Sequence, residues 1–291
     1  MDAEKERKAI DRLRAFVPPD GEPYYLCYSG GKDSDCIRIL ADLAGVPHEI
    51  HHNLTTVDAP ETVRYIKSIP GCIIHRPERS MWRLIVDRKY PPTRLARYCC
   101  EELKERGGQG RMKVTGVRAA ESRQRRDNGG MVKIIGKVKT VQRMAREIGA
   151  DYGVTSKGGV VLNFDNPPTQ KLVHQCMRTT STMLQPIIDW TTEDVWDFLH
   201  HYGCESNPLY RGGEMRIGCI GCPMAGGKRQ KRDFAKWPKY RANYVRTFDR
   251  MLAARKAAGL PEPETWLDGE HVLRWWVGDD PMQMSFFDGE E

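Results

Sequence analysis

The chain has 291 residues, nine cysteines and a formal net charge of +7, a length that allows one large domain or two small ones with buried cores. No apolar run reaches the ~18 residues that span a membrane, and the charged first 14 residues lack the apolar core of a signal peptide, so a cytoplasmic location is expected. The cysteines then read as reduced thiols or metal ligands rather than as a secreted disulfide framework.

Charge is unevenly spread along the chain. Residues 103–146 carry thirteen Lys/Arg against three Asp/Glu, 228–256 eleven against two, and 261–291 one against nine. Two basic segments suit a polyanionic partner such as nucleic acid; a solvated helix face with nucleotide-phosphate ligands reads the same way.

Residues 2–16 place Ile10, Leu13 and Phe16 on one side of an amphipathic helix, which Pro18-Pro19-Asp20-Gly21 ends. An apolar strand over 24–28 runs into Ser29-Gly30-Gly31-Lys32-Asp33-Ser34. Behind that loop Ile37, Leu40, Ala41 and Ala44 recur at helical spacing. A second strand is expected over 47–54, a helix opened by Pro60 over 60–67 and a third strand over 72–75. A helix over 97–105 and strands over 112–116 and 160–164 follow. Thr191 and Asp194 have capping-box spacing for a helix ending near His201. Residues 203–227, rich in glycine and cysteine, read as loop. Residues 230–258 read as one basic helix or two divided at Pro238, and the acidic stretch after 261 as a partly mobile tail. Strands alternating with helices argue for an α/β fold, a doubly wound and mostly parallel sheet. The expected organisation is a nucleotide-binding α/β domain over 1–202, a small cysteine-containing helical region over 203–260 and an acidic tail over 261–291.

A Ser-Gly-Gly-Lys-Asp-Ser loop between strand and helix is suited to phosphate. Its glycines let backbone N–H groups approach oxygen atoms, and the helix presents its positive end. It lacks the glycine–lysine spacing of a P-loop kinase or GTPase. It resembles the PP-loop of ATP pyrophosphatases, which split ATP between the α and β phosphates and adenylate a substrate. By that resemblance Ser29, Gly30, Gly31, Lys32, Asp33 and Ser34 bind ATP. Lys32, Ser29 and Ser34 hold the leaving pyrophosphate, Lys32 and Asp33 carry the catalysis, and Asp33 serves Mg2+.

Two more segments extend the likeness to the phosphoadenosine phosphosulfate (PAPS) reductase family, whose fold is adenine nucleotide alpha hydrolase-like. Residues 53–62 look like the family element that sets an aspartate, here Asp58, near the nucleotide. Residues 115–123 match its Gly-x-Arg-x-x-Glu-Ser pattern, which makes Arg118 the first choice for gripping phosphate or sulfate. Arg123, Arg125 and Arg126 read equally well as surface charge. Residues 186–196 match a further family segment, whose Trp and Val positions read as core. The resemblance covers roughly 24–250.

Cys219-Ile220-Gly221-Cys222 has the spacing of a metal chelate, and two more ligands are required. Cluster-bearing relatives show a Cys-Cys pair, here Cys99-Cys100, and add a cysteine where Cys176 stands. The expected set is Cys100, Cys176, Cys219 and Cys222, with Cys99 able to replace one. All-thiolate ligation suits a [4Fe–4S] cluster or Zn2+, and the resemblance favours the cluster. Cys27 and Cys36 read as core.

The pattern departs from true sulfate-nucleotide reductases in two ways. The phosphate loop is intact, and no cysteine follows Cys222 to act as the mobile nucleophile that those enzymes use. Both departures favour ATP-dependent activation of a nucleic-acid target for sulfur transfer, a DNA modification for instance, with a donor such as a cysteine desulfurase. PAPS or adenylyl sulfate (APS) reduction is the enzymatic rival, and a DNA-associated nucleotide and cluster sensor is the non-catalytic one. Gln283-Met284-Ser285-Phe286-Phe287 resembles the short peptides that bacterial replication proteins insert into the sliding clamp, which adds the clamp as an expected partner.

Overall fold

The computed structural model describes residues 2–261 and 263–278. Their elements run α1 (Ala3–Ala15), β1 (Tyr24–Cys27), α2 (Lys32–Ala44), β2 (His48–Asn53), α3 (Pro60–Ser68), β3 (Cys72–His75), α4 (Met81–Arg88) and α5 (Tyr98–Leu103). Then follow β4 (Lys113–Val114), α6 (Arg123–Asp127), β5 (Val132–Ile135), α7 (Val138–Ile148), β6 (Gly153–Val154), β7 (Gly159–Leu162), α8 (Pro167–Cys176) and β8 (Ser181–Leu184). The last helices are α9 (Thr192–His201), α10 (Gly227–Lys236), α11 (Pro238–Ala257) and α12 (Gly269–Trp276). No described helix is long and apolar enough to cross a membrane. The elements gather into two compact units that interleave in sequence. One draws on 1–52, 61–75 and 107–217, the other on 53–60, 76–106 and 218 onward.

The first unit carries the α/β sheet, the fold class expected from alternating strands and helices. Its sheet has the order β3-β2-β1-β4-β8-β5-β7-β6. β1 pairs in parallel with β2 and β4, and β4 with β8. Beyond β8 the sheet turns antiparallel, β5 pairing with β8 and β7, and β7 with β6. Both halves share one core. Ile50, Leu26, Val114, Leu184, Val132 and Leu162 stand opposite one another on successive strands and are all buried. A one-residue slip of any of these strands would turn its apolar side out of the core, so burial fixes the register. β5 and β8, which sequence reading did not mark, lie at the centre of this row.

Helix α1 is tied to the body by charge as well as by Leu13 and Phe16. Arg12 is 6% exposed. Its guanidinium donates to the Pro186 carbonyl at 2.7 Å and to both Asp189 oxygens at 2.8 and 2.9 Å. Burial raises the Asp189 pKa, but Arg12 outweighs it and the net direction is down. Helix α9 opens as expected on the Thr191–Asp194 capping box.

The second unit is helical. α11 packs on α4 and α12 around an aromatic knot in which Tyr244 lies within 5.5 Å, centroid to centroid, of Trp82, Phe234 and Trp276. The basic segment divides at Pro238, which starts α11 where its missing N–H costs nothing. The tail after 261 departs from expectation. Asp268 caps α12 by accepting from the His271 N–H, and Val272, Leu273 and Trp276 bury one face of the helix. The Trp276 indole donates to the Pro92 carbonyl at 2.6 Å. The acidic composition of this stretch masked four-residue apolar spacing. The clamp-like peptide 283–287 lies outside the described residues.

Arg12→Ala leaves the Pro186 carbonyl without this donor and the part-exposed Asp189 with Lys8, at 3.1 Å, as its remaining cation, which costs about 1–3 kcal/mol. Because the folded-state pKa of Asp189 is depressed, the pair stabilises above the ordinary carboxylate range and that stability is lost as pH falls through the depressed value. Urea unfolding is expected to show the gap between wild type and Arg12→Ala at neutral pH and its narrowing below pH ~4.

Candidate functional site

In the first unit β1 delivers Tyr28 and Ser29 to the start of α2. Gly30 has φ +71°, and a Cβ there would lie 2.8 Å from Ile66, so the turn requires glycine. The Gly31 N–H donates to Ser34 Oγ at 3.1 Å, and the Ser34 hydroxyl donates back to the Gly31 carbonyl at 2.7 Å. The loop is therefore closed on itself before any ligand arrives.

A segment that no sequence motif marked clasps this loop. Fully buried Asn207 donates to the Gly30 carbonyl and to Thr62 Oγ1, each at 3.1 Å. Ser206 donates to Asp35 at 2.8 Å. The Tyr210 hydroxyl accepts the Lys32 N–H at 3.0 Å. Asp35 also accepts from the Tyr28 and Tyr65 hydroxyls at 2.5 and 3.0 Å, while burial raises its pKa.

Beside the loop lies a cavity of about 240 Å3 whose walls include Ser29, Lys32, Asp33, Ser34, Arg125 and Arg216. The three cations are partly balanced by Glu121, which pairs with Arg125 and, at 3.5 Å, with Arg216. Burial and the neighbouring Arg216 charge lower the Arg125 pKa. Arg118 has a different place. It is 2% exposed and does not line the cavity. Its Nε donates to Asp33 at 2.7 Å, and its Nη1 lies 3.4 Å from the Trp190 carbonyl and from Thr192 Oγ1. The other Asp33 oxygen lies 3.3 Å from Lys32 Nζ. Arg118 thus holds Asp33, and Arg125 and Arg216 face the space. Gly116 of the Gly-x-Arg pattern permits this packing, since a Cβ would fall 2.7 Å from the Asp33 carbonyl.

Asp58 belongs to the second unit and does not line this cavity. Its carboxylate accepts the Thr55 N–H at 2.7 Å, a local turn contact that satisfies it. Its backbone bridges to Cys219, and the Ile220 N–H donates to the Val57 carbonyl at 2.8 Å. These bonds hold the Cys-x-x-Cys loop. Gly221 (φ +72°) turns it, with its N–H on Asp233 at 3.2 Å and its carbonyl on Gln230 at 3.1 Å. The Tyr244 hydroxyl donates to the Ile220 carbonyl at 3.1 Å.

Cys99, Cys100, Cys219 and Cys222 line one small, mainly apolar cavity of about 20 Å3 with Leu103 and Lys104. Cys100 is held well below the usual thiol range by hydrogen bonding from Cys99 and by Arg97 and Lys104. The Cys99 pKa is pushed up by that same bond and by burial. Burial also raises Cys219, whose sulfur lies 3.5 Å from Thr55 Oγ1. The charges of Cys219 and Asp58 raise Lys104. Among the described residues no three His, Cys, Asp or Glu side chains are arranged to hold a single metal ion. The donor set nevertheless fits an all-thiolate centre: four sulfurs, an apolar lining and two cations to offset its charge.

The thiol set differs from the expected one at one position. Cys176 belongs to the first unit, 2% exposed in its hydrophobic core at the end of α8, where it follows Leu172 and Val173 on the buried face. Burial alone raises its pKa. Cys99 stands with the other three cysteines instead.

At Gly221 a Cβ would fall 2.6 Å from the Phe234 ring. Gly259 has a similar φ of +63° with nothing within 4 Å. Gly259→Ala is expected to cost about 1 kcal/mol in backbone strain alone. Gly221→Ala adds overpacking, for at least about 2 kcal/mol. Urea unfolding of the two variants measures the difference.

The family profile of the phosphoadenosine phosphosulfate reductase domain matches residues 23–225. An uncharacterised 37.8 kDa protein of Escherichia phage 186 is 37% identical over 75 residues, 26% of this chain and 22% of that protein. The adenosine 5'-phosphosulfate reductase of Bacillus cytotoxicus is 31% identical over 67 residues, 23% of this chain and 29% of that enzyme. The chain thus spans less than a third of the curated relatives it matches. Among solved structures, the U34-tRNA thiolase NcsA of Methanococcus maripaludis, determined with its [4Fe–4S] cluster, is 10% identical with a TM-score of 0.39, over 91% of this chain and 84% of that one. With the profile covering most of its length, the chain belongs to the phosphoadenosine phosphosulfate reductase domain family.

Proposed function

We propose that the protein is an ATP-using member of this family, which splits ATP into AMP and pyrophosphate to activate a nucleic-acid target for sulfur transfer. The observation that carries the reading is the intact Ser-Gly-Gly-Lys-Asp-Ser loop opening on a cavity with Lys32, Arg125 and Arg216 in its walls. Three cations around a loop of backbone N–H groups suit a polyphosphate better than a single sulfate.

In this reading a target oxygen attacks the α-phosphorus, the bond to the α–β bridging oxygen breaks, and pyrophosphate leaves. Lys32 moves from Asp33 to the departing phosphates, which frees an Asp33 oxygen for Mg2+ while Arg118 keeps the other in place. Arg125 exchanges part of its contact with Glu121 for phosphate. The Tyr210 hydroxyl occupies the Lys32 N–H until a phosphate oxygen replaces it. A sulfide-level sulfur from a separate donor then forms the carbon–sulfur bond, and AMP leaves with the electrons of the carbon–oxygen bond. Cys99, Cys100, Cys219 and Cys222 would hold an iron–sulfur cluster, with zinc the alternative, and a cluster supplies a site from which sulfur can be delivered. Arg97 and Lys104 offset its charge.

A second reading, PAPS or APS reduction, draws on the family itself and on the partial likeness to adenosine 5'-phosphosulfate reductase. The test is product analysis from α- and γ-labelled ATP with nucleic acid present under anaerobic conditions. AMP with pyrophosphate is expected, and Lys32→Ala is expected to lower its rate at least ~100-fold, since one charge on the leaving group is worth several kcal/mol. ADP as product contradicts the proposed cleavage. Sulfite release from PAPS or APS without ATP use supports the reductase.

A further inference from the structure

Helix α5 separates two cavities of the second unit. Cys99, Cys100, Leu103 and Lys104 line the thiol cavity, whereas Arg97, Tyr98, Glu101 and Glu105 line another of about 410 Å3. Residues 97, 101 and 105 recur every four positions, so they share one face of the helix and its extension. The remaining wall comes from Arg88, Tyr90 and Ala96.

The chemistry of this second cavity is mixed in a specific way. The Tyr90 and Tyr98 rings meet edge to face with centroids 5.3 Å apart, and Arg88 lies over Tyr98 at 5.6 Å. The Tyr98 hydroxyl donates to the Tyr90 carbonyl at 2.7 Å, which fixes the pair. Residues 88–97 hold four Lys/Arg and no Asp/Glu. The side chains of Arg94 and Glu101 are exposed and make no ion pair among the described residues. The same short segment therefore offers an aromatic face, an uncommitted carboxylate acceptor and several cations.

We propose that this cavity takes one unpaired base of a single-stranded nucleic acid. Tyr90 stacks on the base, Glu101 accepts from an exocyclic amine at its edge, and Arg88, which pairs with Glu102 at 3.0 Å, meets a flanking phosphate. The inference goes beyond the sulfur-transfer reading and does not depend on it. The cavity volume suits a ligand of that size. Bases stack on aromatic rings, carboxylates accept from the cytosine amine, and arginine meets phosphate through its planar fork. An acidic peptide or free phosphate would use the arginines but would be repelled by Glu101 and Glu105. A paired base cannot enter without leaving its stack. Arg97 lines this cavity, and its charge acts on Cys100, which lines the other.

The test is fluorescence anisotropy of the anaerobic full chain with short labelled oligonucleotides of cytidine or thymidine, single-stranded and duplex. Single strands are expected to bind tighter than duplex, and the cytidine strand tighter than the thymidine strand, which has no exocyclic amine. Tyr90→Ala is expected to weaken single-strand binding about tenfold, while Tyr90→Phe stays within about twofold because the ring face is kept. Glu101→Ala, which removes the acceptor, is expected to erase the cytidine preference. Arg88→Ala is expected to reduce the salt slope by about one. Thermal unfolding of each variant separates lost binding from lost folding. Binding unchanged in both Tyr90→Ala and Glu101→Ala, or equal binding of duplex, overturns the proposal. Tyr90-dependent strand binding without ATP cleavage would leave this site standing and remove the sulfur-transfer reading. ATP cleavage with strand binding indifferent to Tyr90 would remove this site alone.

Discussion

Four thiols in one apolar cavity set the terms for the second unit. A thiolate in low dielectric is costly unless a cation lies beside it. The cavity answers that cost for one sulfur at a time: Cys100 is favoured as a thiolate by Cys99, Arg97 and Lys104, while Cys99 and Cys219 are pushed toward the protonated form. Ionising all four requires a positive centre among them, and metal binding would then release protons. The bonds of Asp58, Ile220 and Gly221 tie the Cys-x-x-Cys loop to residues 57–58 and to α10.

The phosphate loop of the first unit rests on a comparable balance. Asp33 sits between Lys32 and Arg118, and Glu121 between Arg125 and Arg216. Each carboxylate stores cations that an anionic ligand can claim. The loop itself needs little rearrangement, because Ser34 and Asn207 already hold the Gly30-Gly31 backbone. Placing the loop at the end of β1, beside the end of β4, follows the general rule that open α/β sheets bind ligands at strand C-termini.

Much of this was legible in the sequence where chemistry and spacing coincide. The Ser-Gly-Gly-Lys-Asp-Ser loop, the parallel strands around it, the Thr191 cap and the break at Pro238 all have local signals. Other features have none. β8 (Ser-Thr-Met-Leu) is too short to show alternation, and β5 hides in an arginine-rich stretch; only their pairing with β4 and β7 makes them central. Arg118 matches its motif, yet its guanidinium turns inward to Asp33 and leaves the cavity to Arg125 and Arg216. Tyr210 and Asn207 act through contacts with residues more than a hundred positions away, which no spacing rule reveals. Cys99 and Cys176 are equivalent by composition. The burial of α8 in the sheet core, against the exposure of α5 to the Cys-x-x-Cys loop, separates them.

The metal centre proposed for Cys99, Cys100, Cys219 and Cys222 would tie the thiol cavity to sulfur chemistry. Iron, zinc and acid-labile sulfide assays on the anaerobically purified full chain test it most directly when Cys99→Ser and Cys176→Ser are measured beside wild type. The account predicts about four irons and matching sulfide per chain, kept by Cys176→Ser and lost by Cys99→Ser. Loss of iron in Cys176→Ser with full retention in Cys99→Ser, or a chain that takes up no metal, would contradict it.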